Sequence, residues 1–393
     1  MKTSHEKYSI PQARFYSNPD NIFDIYLPEE LHPIINKIRN GNEALGGICH
    51  IKQGLIAKPK NKYVIPSEKF RSLEKATREH CRKVVDAGDV KRFVVAWSGG
   101  YIVYGKTLHR ARKKEIFERE KLMVPRIARH LQAAYDTESF YCLERIYLIY
   151  PKEGENLNLK YILALLNSEL LDFYYMTQFS PTHLSGGYLK YYKAYLEQIP
   201  IKRNIRPEIV LRLTELVDEV IARSLDIIHT KARLACFPES YLKKDTTFDK
   251  LLNVVRTKPS LTKNRYRLTE KARLSFFRDL DSNMVFRTHL SDKEYLDFRT
   301  EGYARYVAEL LNTRQEITKG DILRLSIPSI SDLKELLKWL EGDKRLVDER
   351  KEDIADIEKR MNDLIYDVYG LDGEEKLLVR EYIKKTSRST ELT

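Results

Sequence analysis

Two long segments, whose apolar residues are spaced three and four apart, constrain the fold of this 393-residue chain most strongly. The first covers residues 207–235 and the second covers residues 341–368. Such spacing places the apolar side chains on one face of a long α-helix. Each segment lies downstream of an Ile-Pro dipeptide, at Pro200 and at Pro328, where the preceding element is expected to end. The predicted order is therefore a lobe, a long helix, a second lobe and a second long helix that ends near Gly370. The apolar positions are Ile209, Leu213, Leu216, Val220 and Ile227 in the first segment and Ile354, Ile357, Met361, Leu364 and Val368 in the second.

Both lobes are predicted to mix short strands with helices. Strand-like runs rich in Val, Ile and Tyr occur at 91–97, 101–105 and 139–151, and one buried helix is expected over 158–179. We predict an α/β fold of the α+β kind, with a mixed or antiparallel sheet in the first lobe and long spacer helices. The predicted division is 1–205 for the first lobe, 206–236 for a spacer helix, 237–330 for a second α/β lobe and 331–393 for a C-terminal helical region.

Composition favours a polyanionic partner. Lysine and arginine number 69 against 57 aspartate and glutamate, so the formal net charge is +12. Such an excess suits nucleic acid, because neutralised phosphates release condensed counterions. The four cysteines form no Cys-x-x-Cys pair, which predicts buried free thiols in a reducing compartment. Since no run of about 18 apolar residues and no N-terminal signal region occurs, we expect a cytoplasmic protein without membrane contact.

Short catalytic motifs are missing from the sequence. It contains no Gly-x-x-x-x-Gly-Lys-Ser/Thr loop, no Gly-x-Gly-x-x-Gly after a strand, no Gly-x-Ser-x-Gly and no His-x-x-x-His pair. The acid-x-lysine spacing of many metal-dependent nucleases occurs at Asp89-Val90-Lys91 and at Glu374-Glu375-Lys376. A chain with 32% charged residues yields such triplets by chance, and we predict no catalytic residue and no metal site. A diverged metal-dependent DNA nuclease remains an alternative.

The segment from Lys106 to His130 concentrates positive charge, with nine lysines and arginines against three glutamates. It has two interpretations: a solvated helix face with Glu–Lys pairs, or a stripe that binds phosphates. In the second interpretation, four side chains contact the DNA backbone. Arg126 and Arg129, which follow the strand-like segment 121–125, reach base edges, since arginine pairs with guanine through two hydrogen bonds. The four expected backbone contacts are Arg110, Arg112, Lys113 and Lys114.

Tyrosines and lysines alternate in the stretch 185–201, SGGYLKYYKAYLEQIPI. As a strand, it turns Leu189, Tyr191 and Lys193 to one side and Tyr188, Lys190 and Tyr192 to the other. Gly186 and Gly187 allow a tight turn or a close approach to phosphate. One face would then pack on the lobe while Lys190 and Tyr192 point outward, although a turn with solvated lysines explains the pattern equally well.

Several motifs together resemble a known family. The stretches YILALLNSELLDFYY and GGYLKYYKAYLEQIPI, with GDVKRF at 88–93, resemble the TaqI-like C-terminal specificity (target-recognition) domain of adenine-specific DNA methyltransferases and Type IIG restriction-modification enzymes. The segment 364–379 looks like the usual C-terminus of these enzymes, and the plan of lobes and helices is similar to that of Type I specificity subunits. This resemblance implies recognition of duplex DNA in a defence system. The residues expected to contact DNA are Lys91, Arg92, Arg110, Arg112, Lys113, Lys114, Arg126, Arg129, Tyr188, Lys190, Tyr192 and Lys193.

The chain departs from the family in the catalytic half. Family members hold the flipped adenine with an Asn-Pro-Pro-Tyr/Phe motif, whereas the only Asn-Pro here, Asn18-Pro19, continues with Asp20. The resemblance therefore implies a recognition module that positions adenine for a separate methyltransferase domain or subunit, on which S-adenosylmethionine is expected. A scaffold that binds RNA or an acidic protein is the second alternative.

Overall fold

A computed structural model describes residues 28–105, 108, 112–179, 182–184, 188–257, 259, 261–267, 271–280, 282–291 and 293–391. The chain divides into two compact units. The first unit comprises residues 1–224 and 353–393, and the second comprises residues 225–352. The four-part division made from the sequence stays a prediction.

The first unit contains two four-stranded sheets and a smaller three-stranded sheet. One sheet is antiparallel, in the order β2-β10-β6-β8; the second, β3-β5-β4-β9, is mixed because β4 and β9 run parallel; the third is β11-β12-β7. The predicted α+β class is thus confirmed. The strands are β1 (Glu43–Ala44), β2 (Cys49–Gln53), β3 (Val64–Pro66), β4 (Cys81–Val85), β5 (Gly100–Val103), β6 (Lys121–Pro125), β7 (Ile127–Ala128), β8 (Ala134–Asp136), β9 (Tyr141–Cys142), β10 (Ile146–Pro151), β11 (Thr182–Leu184), β12 (Tyr188–Lys190) and β13 (Pro200–Ile201).

Buried helices cover these sheets where the sequence predicted a single helix. Helices α7 and α8 are separated at Asn167, whose side chain both accepts a hydrogen bond from the Ala133 N–H (2.9 Å) and donates one to the Ala133 carbonyl (3.0 Å). Burial over 158–179 is confirmed, but the helix is interrupted because this amide satisfies the neighbouring strand segment. The helices of this lobe are α1 (His32–Arg39), α2 (Leu45–Ile48), α3 (Lys60–Tyr63), α4 (Ser67–Arg71), α5 (Lys75–Glu79), α6 (Glu115–Glu118), α7 (Leu159–Leu166), α8 (Glu169–Phe179) and α9 (Lys193–Leu196).

Two strand predictions in this unit are wrong. Residues 91–97 form a turn, in which the Lys91 N–H donates to the Val94 carbonyl (3.0 Å) and Phe93 has a φ of +69°. This backbone buries the Phe93 ring in the core. The second error is at Lys193, where helix α9 begins and ends the predicted alternation. The inward direction of Leu189 and Tyr191 is confirmed, since both are buried.

The second unit has its own core, in which α12 packs on a three-stranded antiparallel sheet, β16-β17-β18. Tyr306, Leu296 and Phe298 lie at its centre, each at most 1% exposed. The elements are β14 (Phe248–Lys250), α11 (Leu251–Val254), β15 (Arg265–Arg267), β16 (Arg273–Arg278), β17 (Met284–His289), β18 (Tyr295–Phe298), α12 (Glu301–Asn312), β19 (Glu316–Thr318), α13 (Lys319–Leu323) and β20 (Ser326–Pro328).

The same local motif closes both units. In the first, β1 pairs with β13 and the Leu45 N–H donates to the Ile199 carbonyl (2.8 Å). In the second, β14 pairs with β20 and the Leu251 N–H donates to the Leu325 carbonyl (2.9 Å). Each unit therefore closes by pairing an early strand with the strand before a long helix.

The two predicted long helices are confirmed as α10 (Pro207–Ala235) and α14 (Ile330–Val368), and α15 (Gly373–Glu391) follows. Helix α14 begins 11 residues before the predicted start at 341, because the Ser329 hydroxyl hydrogen-bonds to Asp332 at its N-terminus (2.9 Å). It ends as predicted beside Gly370, which has a φ of +74°, while the Leu371 N–H donates to the Tyr366 carbonyl.

Ion pairs join the two long helices within each unit. Arg223 pairs with Asp353 (3.3 Å) in the first unit, and Arg233 pairs with Asp343 (2.7 Å) in the second. Exposed pairs of this kind contribute little singly, about 0.2–1 kcal/mol. The apolar residues that each helix buries, among them Leu216, Val220 and Ile357, therefore contribute more to stability than these ion pairs.

Three of the four cysteines are buried free thiols as predicted, but Cys236 is exposed. Within the described ranges, every helix is too short or too polar to cross a lipid bilayer.

Candidate nucleic-acid interface

A cleft of about 950 Å³ opens on the first unit, where turns between its strands converge. Six of the described residues that line it are lysine or arginine, and one is acidic. Such a concentration of one charge produces a local positive potential beyond what the overall composition implies. The charged lining residues are Lys58, Lys91, Arg126, Arg129, Arg145, Lys190 and Glu144.

Pairing of β7 with β12 forms one wall of this cleft. Lys190 lies opposite Ile127, and the Tyr191 N–H donates to the Arg126 carbonyl (2.8 Å), which fixes the register. The Arg129 guanidinium lies 5.4 Å from the centre of the Tyr188 ring, which is 43% exposed. The wall therefore presents an arginine-backed aromatic face, of the kind that stacks on bases.

Arg126 is half-buried at the base of this wall. Its guanidinium lies 5.7 Å from the Tyr147 ring centre, which restricts its orientation. In the part of the chain that the structure describes, no group accepts a hydrogen bond from its buried Nε. A ligand in the cleft would find this guanidinium already oriented.

Five of the twelve residues predicted from the sequence line the cleft, namely Lys91, Arg126, Arg129, Tyr188 and Lys190. Half-buried Tyr192 lies beside it, with the Lys190 ammonium 4.9 Å from its ring centre.

The other predicted contacts lie elsewhere. Arg112, Lys113 and Lys114 are exposed before α6, and Lys193 forms an ion pair with Glu197 (3.1 Å). Arg110 lies outside the described residues. The roles assigned to these residues stay predictions.

Arg92 makes contacts within the protein. Its guanidinium donates to the Asn167 carbonyl (2.8 Å) and pairs with Glu358 of α14 (3.1 Å). These contacts link the 91–97 turn to two helices and leave fewer donors for a ligand. Its predicted contact with DNA also stays a prediction.

Sequence reasoning missed Lys58, Glu144 and Arg145. Lys58 follows β2, and the other two form the turn between β9 and β10. The signal available for the turn was a pair of adjacent charges within the otherwise apolar run from Tyr141 to Tyr150.

The carboxylates near the cleft have structural partners. Burial would raise the pKa of Asp86, but the ion pair with Lys60 (2.7 Å), the Ala87 N–H and the positive charge of Arg145 lower it. Asp89, from the acid-x-lysine triplet, is 8% exposed and accepts a hydrogen bond from the Asp86 N–H (2.9 Å). It therefore caps a turn. Among the described residues, no three His, Cys, Asp or Glu side chains lie close enough to hold a metal ion.

Comparison with protein families finds a match for residues 83–201, to the TaqI-like C-terminal specificity domain. The resemblance noted from the sequence is thus confirmed over this stretch, which contains every charged cleft residue named above except Lys58.

Solved structures align with most of the chain at low identity. The Type I restriction-modification system S subunit from M. genitalium is 10% identical, with a TM-score of 0.39, and the alignment covers 85% of this chain and 98% of that one. The HsdS subunit from Thermoanaerobacter tengcongensis is 12% identical, with a TM-score of 0.30 and coverage of 83% and 95%. A chain from a structure of the type I R-M system is 12% identical, with a TM-score of 0.32 and coverage of 83% and 96%. Comparison with curated proteins finds no match.

Proposed function

We propose that this chain recognises a specific sequence in duplex DNA for a restriction-modification system, and that the cleft of the first unit is its DNA-binding surface. The observation that carries this proposal is the cleft's charge: among the residues that the structure describes, six cations and one carboxylate line a space of about 950 Å³. The regular array of phosphates in DNA binds such a concentration of positive charge, because neutralised phosphates release counterions.

Sequence-specific recognition requires contacts to phosphates and contacts to base edges, and the cleft contains candidate residues for both. The exposed lysines at the rim, Lys58 and Lys91, suit phosphates, because a compact ammonium binds as a point charge. Half-buried Arg126 suits a base edge, because a held guanidinium donates two parallel hydrogen bonds to guanine O6 and N7. The specificity-domain match over 83–201 supports the same assignment.

A finer part of the proposal concerns chemistry on the DNA. We propose that the bound module positions one adenine for a methyltransferase domain or subunit, which would bind S-adenosylmethionine. Extruding that base costs a few kcal/mol, and contacts around the site offset this cost. Mixing the chain with a candidate methyltransferase should restore methylation at one adenine within the bound sequence.

Direct binding tests the function. The full chain should bind duplex DNA more tightly than RNA of the same length, and Arg126→Ala with Arg129→Ala should weaken that binding. A matched variant, Lys69→Ala with Lys75→Ala, removes two exposed charges on α4 and α5, outside the residues that line the cleft, and should bind nearly as well as the unaltered chain. Tighter binding of RNA would contradict the proposal.

A further inference from the structure

The turn formed by Glu144 and Arg145 is held in place by its own backbone. The Arg126 N–H donates to the Arg145 carbonyl (2.8 Å), and the Gln53 amide donates to the Glu144 carbonyl (2.7 Å). Hydrogen bonds thus fix both carbonyls of the turn. Its side chains enter the cleft from a preorganised base, which lowers the entropy lost when they bind a ligand.

Gly54 packs directly beneath this turn. Its N–H donates to the Ile146 carbonyl (3.1 Å), and a Cβ added at Gly54 would lie 2.3 Å from the Leu143 carbonyl oxygen. No other residue type fits at this position without moving the turn. Local packing therefore demands glycine at the point that sets the position of Glu144.

Glu144 is the only acidic residue among the described residues that line the cleft. Its side chain is 23% exposed, and the Lys58 ammonium lies 4.0 Å from its carboxylate, at the limit of an ion pair. A carboxylate repels phosphate, so this residue opposes the general attraction of the cleft for DNA. Any ligand group that Glu144 contacts is therefore a group other than phosphate.

Hydrogen-bond chemistry restricts what that part can be. An ionised carboxylate only accepts hydrogen bonds. The phosphates and sugars within a DNA strand offer only acceptors, so a donor for Glu144 must come from the amino group of a base. In the major groove these groups are cytosine N4 and adenine N6, and glutamate pairs with the first.

We propose that the Glu144–Arg145 turn reads one G·C base pair in the major groove. The Glu144 carboxylate accepts a hydrogen bond from cytosine N4, and the Arg145 guanidinium donates to guanine O6 and N7. This inference rests on the proposed function, and it names part of the recognised sequence.

Substitution of the carboxylate separates base reading from general electrostatics. Duplexes bound by the full chain and by Glu144→Ala would be selected from the same random pool and sequenced. We expect the variant to show a weaker preference for G·C at one position, where discrimination falls about 5- to 150-fold, while Arg145 keeps its contact with guanine. The matched control, Glu68→Gln on α4, removes one exposed negative charge outside the residues that line the cleft and should leave the selected sequence unchanged.

Each other outcome has a definite meaning. If Glu144→Ala binds every duplex more tightly and selects the same sequence, the carboxylate only opposes phosphates and the inference is wrong. Loss of preference at an A·T pair would overturn the assignment to cytosine. Failure of the unaltered chain to bind any duplex would overturn the proposed function and this inference with it. Equal urea midpoints of the variant and the unaltered chain would show that folding is intact.

Discussion

Replacing Lys58 and Lys91 together by alanine removes two of the four side chains that we assign to phosphates. The other two are Lys190 and Arg129, which also line the cleft. We assign Arg129 to a phosphate, and not to the base edge expected from the sequence, because its side chain is exposed. Each phosphate contact contributes about −0.9 to the slope of log affinity against log salt concentration. Four contacts therefore give a slope of about −3.6, and the double variant should retain about −1.8.

These slopes translate into large differences in binding. Between about 50 and 200 mM salt, the unaltered chain should lose about 150-fold in affinity, whereas the double variant should lose about 12-fold. Fluorescence anisotropy with a labelled duplex, repeated at several salt concentrations, measures both slopes. Lys58 has 77% of its side chain exposed and Lys91 is exposed, so neither substitution should disturb the fold.

The control for this prediction is Lys69→Ala with Lys75→Ala, which removes the same charge from α4 and α5. If both double variants change the slope equally, net charge and not the cleft governs binding. That result would refute the assignment of the cleft as the interface.

Three further substitutions test the framework around the cleft. Gly54→Ala should lower the free energy of unfolding by about 1–3 kcal/mol and weaken the preference for one DNA sequence, because the new methyl group displaces the Leu143 carbonyl. Urea unfolding measures the first effect and duplex selection measures the second. Arg92→Ala should lower the free energy of unfolding by about 1–2 kcal/mol, because a partly exposed side chain loses its charged hydrogen bonds. The selected DNA sequence should stay unchanged. An altered DNA sequence with normal stability would instead make Arg92 a base contact. Burial would raise the pKa of Glu294, but hydrogen bonds from Thr262, Ser291 and the backbone lower it to about 2. The stability that ionised Glu294 contributes is therefore complete above about pH 4.5 and is lost as the pH falls toward 2. Glu294→Gln should flatten that part of the curve of unfolding free energy against pH, and an unchanged curve would contradict this reasoning.

Local sequence patterns predicted the long helices well. The three-and-four spacing of apolar residues in α10 and α14 depends only on neighbours within the same helix, so the sequence contains the whole signal. The strand-like 121–125 was likewise found as β6, because a short apolar run is a local feature. The early start of α14 was missed, since the N-terminal hydrogen bond to Asp332 lies outside the apolar pattern.

The cleft could be predicted only in part because it is assembled from distant segments. Arg126 and Lys190 meet through the pairing of β7 with β12, and Lys58 comes from the turn after β2. Arg92 shows the same limit in a single side chain: its partner Glu358 is 266 residues away, so the sequence could not indicate the ion pair that the fold provides. Both Ile-Pro dipeptides precede a long helix as predicted, but they occupy different positions in the repeated motif: Pro200 lies opposite Ala44, whereas Pro328 lies opposite Phe248, two positions earlier.

Selection of bound duplexes from a random pool at about 0.15 M salt, followed by sequencing, tests the central claim most directly. We expect the full chain to recover one defined motif that contains an adenine and at least one G·C pair, and the Arg126→Ala variant to recover that motif with one position relaxed. Recovery of unbiased sequences, with retention that depends only on salt, would contradict sequence-specific recognition by this cleft.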